Sequence, residues 1–181
     1  MNTTIEGRAK QLPDIQRTWN WELMIPGIGN VTKGIMKNDE DLIIRVRSAV
    51  IPSRGNEPIE SNFMGMKQFF PGKPTFENSF AVTIEETENQ IALKALTAWQ
   101  DNTFDISPTS PTGGSSSKLL KRQLTKDVFL LMYKYNRKIM EKKIHFYNAF
   151  IQNVDSVSLD YTDNSSVKYS VTFQFDFWTL D

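Results

Sequence analysis

Cysteine is absent from this chain. That excludes disulfides, thiolate zinc sites and cysteine nucleophiles. Histidine is almost absent: His145 stands alone in a stretch that alternates like a strand. One histidine without cysteine makes a poor transition-metal site, and such a residue is most simply a structural or surface group. Long apolar runs are missing too. The longest, "VFLLMY", is strand-sized, far below the ~18–20 residues of a membrane helix. The first residues, "MNTTIEGRAKQLPDIQR", have no apolar core of signal-peptide type. Net charge is also lacking: 21 basic residues balance 21 acidic ones. No strong attraction to nucleic acid or to an acidic membrane is therefore expected, and a neutral surface suits self-association better than electrostatic capture.

What the chain does have is apolar and aromatic material, 39% and 12% of its 181 residues, enough for one domain with a real core. Residues 1–16 are polar and without period, and are expected to form an arm ahead of a single domain over 17–181. "RTWNWELMI" puts Trp19, Trp21, Leu23 and Ile25 on one face of a strand. A turn-rich connection with three glycines follows. "LIIRVRSAVIP" is expected to be the next strand, stopped by Pro52. Residues 52–78 hold three further prolines and three glycines, which predicts a loop. They also hold Ile59, Phe63, Met64, Met66, Phe69, Phe70 and Phe76. Loops of this length are usually functional, and so many apolar groups need a place of burial.

"SFAVTIE" is a strand. "TENQIALKALTAWQDN" is the one convincing helix, with Ile91, Ala92, Ala95, Leu96 and Trp99 on one stripe. Thr87 and Gln90 are spaced as a capping box. Residues 105–117 form a Ser/Gly/Pro-rich, flexible loop by composition, and "KLLKRQLTK" adds a helical turn. "DVFLLMYKY", "EKKIHFYNAFI" and "VDSVSLDY" are strands, with a turn at Asn136–Lys138. "VKYSVTFQFDFWTL" closes the chain. Val167, Tyr169, Val171, Phe173, Phe175 and Phe177 fall on one face, and Lys168, Ser170, Thr172, Gln174 and Asp176 on the other. The fold expected is mainly β with one α-helix: an antiparallel β-sandwich or partial barrel with the helix packed on one side.

No catalytic constellation emerges, and an enzyme is not expected. "EETE", Glu85–Glu88, is the densest carboxylate cluster. It lacks a calcium-type ligand loop and suits a positive helix end. "GIGNVTKG" lacks Walker spacing and reads as a loop, and "SSS" lacks a nucleophile elbow. "KLLKRQLTK" and "YKYNRKIMEKK" place positive charge near aromatics, which keeps a nucleic-acid-binding barrel as an alternative. No cofactor and no metal is expected.

The order of several short motifs resembles the tail tube family of contractile phages. Val154, Leu159, Asp160 and Tyr161 are followed, after a polar turn, by an alternating strand ending in Asp176, Phe177 and Trp178. Upstream, the Ala49–Pro52 stretch leads into a long segment with Gly65, then the Phe80, Val82, Thr83 strand, then Trp99 in "LTAWQD". The resemblance spans roughly Arg17 to Leu180. The connections at 26–41 and 106–117 are longer than the family minimum.

The resemblance implies a structural virion protein. Six copies form a ring, each lending strands to an inner barrel, and rings stack head to tail inside a contractile sheath. The lumen passes genome DNA without specific binding. Implied partners are further copies of the chain and the sheath, baseplate, tape measure and terminator proteins, with no membrane anchor. Assembly in the host cytoplasm and residence in the virion tail follow. The resemblance also allows a baseplate, tube-initiating or junction subunit of the same fold, or the inner tube of a bacteriocin or secretion-type particle. In that family the segment after the second strand meets the neighbouring ring. Pro52, Phe63, Met64, Met66, Phe69 and Phe70 are thus inter-ring candidates. Ser170, Thr172, Gln174 and Asp176 are lumen-facing candidates, with Lys168 the exception to a lining that repels DNA.

Overall fold

A computed structural model describes residues 18–36, 40–103, 121–134, 139–160, 162 and 164–181. The expected arm at 1–16, the loop at 105–117, the turn at 136–138 and the motif residue Tyr161 lie outside these. Nine strands are described: β1 (Trp21–Met24), β2 (Val46–Ala49), β3 (Arg54–Phe63), β4 (Met66–Phe76), β5 (Ser79–Glu85), β6 (Lys126–Tyr133), β7 (Met140–Val154), β8 (Lys168–Gln174) and β9 (Phe177–Leu180). The long helix is Ile91–Thr103 (α3). Three single turns accompany it: α1 (Ile28–Val31), α2 (Glu40–Ile43) and α4 (Lys121–Leu124). The described fold is mainly β and antiparallel, as the alternation predicts.

Seven strands follow the order β1-β6-β7-β8-β5-β2, with β9 added on β7. The long β7 belongs to two groups. Its first part pairs with β6 and β9, and its last part, from Phe150, pairs with β8. Asn148 marks the change: it holds φ 54, a left-handed conformation asparagine tolerates, and its N–H donates to Asp127. Alternate residues of both groups turn inward. Phe80, Val82 and Ile84 of β5, Val171 and Phe173 of β8, Val128 and Leu130 of β6, and Ile144 and Phe146 of β7 share one core. Phe80 stacks on Phe146 at 4.4 Å, and Trp99 of α3 meets Phe173 at 5.8 Å. The indole N–H of Trp99 donates to Leu124 O at 2.9 Å, so α4 holds the buried tryptophan in place.

Five local expectations are corrected. Leu42 lies on α2 rather than on a strand, which buries it, while Ile44 is left 70% exposed and β2 begins only at Val46. The connection at 26–36 contains α1, which buries Ile28 and Val31. Residues 155–160 form no strand after β7. The α3 N-terminus is capped by Glu86 rather than by Thr87: its carboxylate accepts from the N–H groups of Ala92 and Leu93, at 3.1 and 2.8 Å. An acidic group there satisfies open donors and complements the helix dipole.

The fifth correction is the closing stretch, which is two strands. It breaks at Phe175 and Asp176, where Phe175 N–H donates to Asn78 O and Asp176 N–H to Tyr147 O. Phe175 stays in the core. Beyond the break the faces swap, because a shift of one residue reverses every side chain. Trp178 then packs on the core and Phe177 is 53% exposed.

Candidate assembly surfaces

The segment expected as a loop, 52–78, is a long β-hairpin. β3 and β4 pair only with each other, and almost every residue of both is exposed. The ladder from Phe63↔Met66 to Arg54↔Phe76 spans about 30 Å at strand rise. Register assigns the faces, since directly opposed residues share one. Phe63↔Met66, Ser61↔Gln68 and Ile59↔Phe70 fall on one face. Asn62↔Lys67 and Glu60↔Phe69 fall on the other, where Lys67 and Glu60 pair at 2.8 Å. The first face carries an apolar stripe of Ile59, Phe63, Met66 and Phe70, each at least half exposed. Covering what is left exposed of such a side chain contributes about 1–2 kcal/mol.

The inter-ring candidates thus separate. Phe63, Met66 and Phe70 share the stripe, Phe69 lies behind it, Met64 sits at the tip, and Pro52 is buried ahead of β3. Ile59 completes the stripe, and only the cross-strand register reveals its place. A bulge between Asn56 and Pro58 interrupts the ladder. Gly72 sits opposite it, where an added Cβ would lie 2.2 Å from Glu57 O. No other residue fits there without moving backbone.

The tip is a two-residue turn. Met64 and Gly65 both have positive φ, 49° and 79°. Such turns favour Asn-Gly or Gly-Gly. A side chain other than glycine, asparagine or aspartate costs roughly 1–2 kcal/mol in this conformation. Met64 is also 87% exposed.

The second surface is the outer side of β5 and β8. Thr83 faces Ser170, Ala81 faces Thr172 and Ser79 faces Gln174. Ser48 of β2 extends the row through a 2.8 Å hydroxyl contact with Thr83. The row is polar, small and uncharged. Lys168, the apparent exception, stands opposite Glu85, which also pairs with Arg47. A hydrogen bond from Ser166 and then the Arg47 guanidinium hold the Glu85 carboxyl below its usual range. The three lumen candidates Ser170, Thr172 and Gln174 lie on this face. Asp176 does not. It sits in the corner after β8, bonded to Lys121 at 2.6 Å and to Asn148 at 2.8 Å. Those two bonds, the lysine first, lower its pKa.

His145 lies in a ladder of rings on the outer side of β6, β7 and β9. It meets Tyr147 at 3.7 Å and Phe129 at 4.4 Å, and Tyr147 stacks on Phe177 at 4.2 Å. Its Nε2 is 3.1 Å from Asp127. Among the described residues no three histidines or carboxylates stand together as a metal site. No described helix is long and apolar enough to cross a membrane.

The match that decides the family is to a model described as "Phage tail tube protein", over residues 16–181. The chain belongs to that family. It is a structural tail tube subunit, and its partners are those of tube assembly. Solved structures share the fold of this tail tube chain at low identity. One is a chain of an extracellular contractile injection system, the PVC sheath/tube terminator in the extended state. It is 13% identical with a TM-score of 0.63, covering 94% of this chain and 99% of that one. Another is the anti-feeding prophage cap, the AFP tube terminating cap, at 14% and 0.61, covering 94% and 93%. A third is the PVC sheath-tube complex in the extended state, at 14% and 0.57, covering 99% of each chain. The comparison with curated proteins returns no match.

Proposed function

We propose that six copies of this tail tube chain close into a ring and that rings stack head to tail into the inner tube of a contractile tail. It has no catalytic role. The observation that carries this reading is the β3–β4 hairpin: about 30 Å of ladder with an uncovered apolar stripe. A free hairpin is marginally stable in water. Its stripe asks for a second copy, and a heterologous contact of this kind propagates along an axis.

The Ser/Thr/Gln face of β5 and β8 lines the lumen. Its uncharged groups release no counterions from passing DNA, so the duplex is not retained. The edge strands of the sheet are consumed by neighbours in the ring. Sheath, baseplate, tape measure and terminator proteins are the outer and axial partners, in keeping with the sheath-tube and terminator assemblies that share the fold. The protein assembles in the host cytoplasm and resides in the virion tail.

Negative-stain microscopy of the purified chain tests the reading. Rings with six-fold symmetry and stacks of rings are expected. A chain that stays monomeric at high concentration contradicts it. Copy number in the particle separates a tube subunit, which makes many rings, from a far less abundant junction subunit.

A further inference from the structure

Proline is distributed unevenly over the strands. Among the nine described strands it occurs in β3 and β4 alone, at Pro58, Pro71 and Pro74. These two strands pair only with each other, so each has one edge without a neighbour. Pro58 stands opposite Pro71 and Asn56 opposite Pro74, and all three rings are exposed. A strand edge without a neighbour is a template for further strands, and proline is one of the residues that blunt it.

The turn fixes where each proline nitrogen points. Phe63 and Met66 flank a two-residue turn and are its first and last residues, so they form a hydrogen-bonded pair. Opposed pairs in an antiparallel ladder alternate between bonded pairs and pairs whose N–H and C=O groups point outward. Counting from the turn, Ser61↔Gln68 and Ile59↔Phe70 are bonded. Asn62↔Lys67, Glu60↔Phe69 and Pro58↔Pro71 point outward. The two facing prolines thus put one nitrogen on each free edge, where any other residue would offer an N–H to a further strand. The run that they end is a hazard by composition. Met66–Phe70, "MKQFF", extends with three large apolar side chains and no proline until Pro71. Toward the tip the outward positions Glu60 and Lys67 are charged and paired at 2.8 Å. Toward the root comes the bulge between Asn56 and Pro58, and bulges twist an edge away from flat pairing.

We propose that Pro58 and Pro71, with Pro74 beyond the bulge, are edge guards: they stop the hairpin of the free subunit from adding strands of other chains and growing into cross-β aggregate. An added strand needs a continuous row of outward N–H and C=O groups. Between tip and bulge each edge offers two outward N–H groups, at Asn62 and Glu60 or at Lys67 and Phe69, and then a proline ring where the third would be. A strand of ordinary length, about five or six residues, finds no unbroken row there. The two faces of the hairpin are untouched, so the guard removes one mode of association and leaves contact through side chains open. It acts on the subunit before any assembly and does not depend on the ring or tube reading. Stiffening of the chain by proline is the rival role, and it predicts a different outcome in the test.

Three variants of the full chain carry the test. Pro58→Thr/Pro71→Thr restores both outward donors on a strand-forming residue. Pro58→Lys/Pro71→Lys restores the same donors and loses the same stiffness, but sets a charge on each edge. Ser61→Thr/Gln68→Thr raises strand propensity at a bonded pair and adds no outward donor. Each is incubated beside the native chain and followed by thioflavin fluorescence and by the diffraction spacing of about 4.7 Å that stacked strands give. The Pro→Thr variant is expected to form cross-β aggregate at least about tenfold faster than the native chain, with the other two at the native rate. A Pro→Thr variant as slow as the native chain overturns the guard. So does a Pro→Lys variant that aggregates as fast, because lost stiffness would then suffice. A Ser61→Thr/Gln68→Thr variant that aggregates as fast also overturns it, because strand propensity would then suffice. Rings or tubes in these samples, present or absent, bear on the proposed function and not on the guard.

Discussion

Two antiparallel pairs in this molecule have opposite energetics. The β5–β8 pair buries one face: Phe80, Val82, Ile84, Val171 and Phe173 are each at most 3% exposed. The β3–β4 pair is longer yet buries neither face, although it carries as many large apolar groups. The first pair is held by the core of its own subunit. The second has its ladder, one ion pair, the Arg54 guanidinium over the Phe76 ring and one two-residue turn. Equal local geometry with unequal burial separates the pair that stabilises the subunit core from the pair that the subunit leaves uncovered.

The widest contrast comes from Phe173→Ala. Removing this buried ring should cost the subunit about 3–5 kcal/mol, read as a lower midpoint in denaturant unfolding. Gly72→Ala acts only on the hairpin. Forcing a Cβ against Glu57 O should cost about 1–3 kcal/mol locally. Faster amide exchange confined to β3 and β4 would show it, with the global midpoint unmoved. Phe70→Asp should change subunit stability by less than about 0.5 kcal/mol, yet stacked particles should vanish from micrographs. A large loss of stability in that variant would mean that the stripe packs on its own subunit.

Thr172→Lys should leave fold and stacking intact and tests the other surface. DNA should then bind the assembled tube, weakening as salt rises, as a filter assay reads. The smallest effect belongs to Asp176. Its pKa is depressed below the ordinary 3.8 by Lys121 and then Asn148. The contribution is thus present above that value and lost as pH falls through the lower folded value. Asp176→Asn should be slightly less stable than the native chain at neutral pH, and the gap should close in acid.

Much of the subunit was legible in the residues alone. Period-two alternation located β5, β8 and their buried faces, and the helical stripe located α3 with Trp99. The apolar excess of 52–78 was legible, and the structure leaves most of it uncovered. Its form was not. Met64-Gly65 is a weak hairpin signal, and four prolines argued against strands. The prolines are tolerated because each strand has a free edge and Pro58↔Pro71 flanks a bulge. The α3 cap went to Glu86 because its carboxylate reaches donors that Thr87 does not.

The closing stretch shows where local pattern stops. Its alternation set which side chains of β8 face the core, because successive residues of any strand point to opposite sides. Only the tertiary structure turned the chain at Phe175 and Asp176, moved it from β5 and the end of β7 to the first part of β7, and swapped the faces so that Trp178 packs on the core. Only it set Glu85 beside Lys168 and Arg47, gathering the charges at one end of an otherwise uncharged row. Alternation is a property of consecutive peptide units and is written in the chain. Register, corners and charge partners join residues far apart in sequence, and packing and hydrogen bonding of the whole fold choose them.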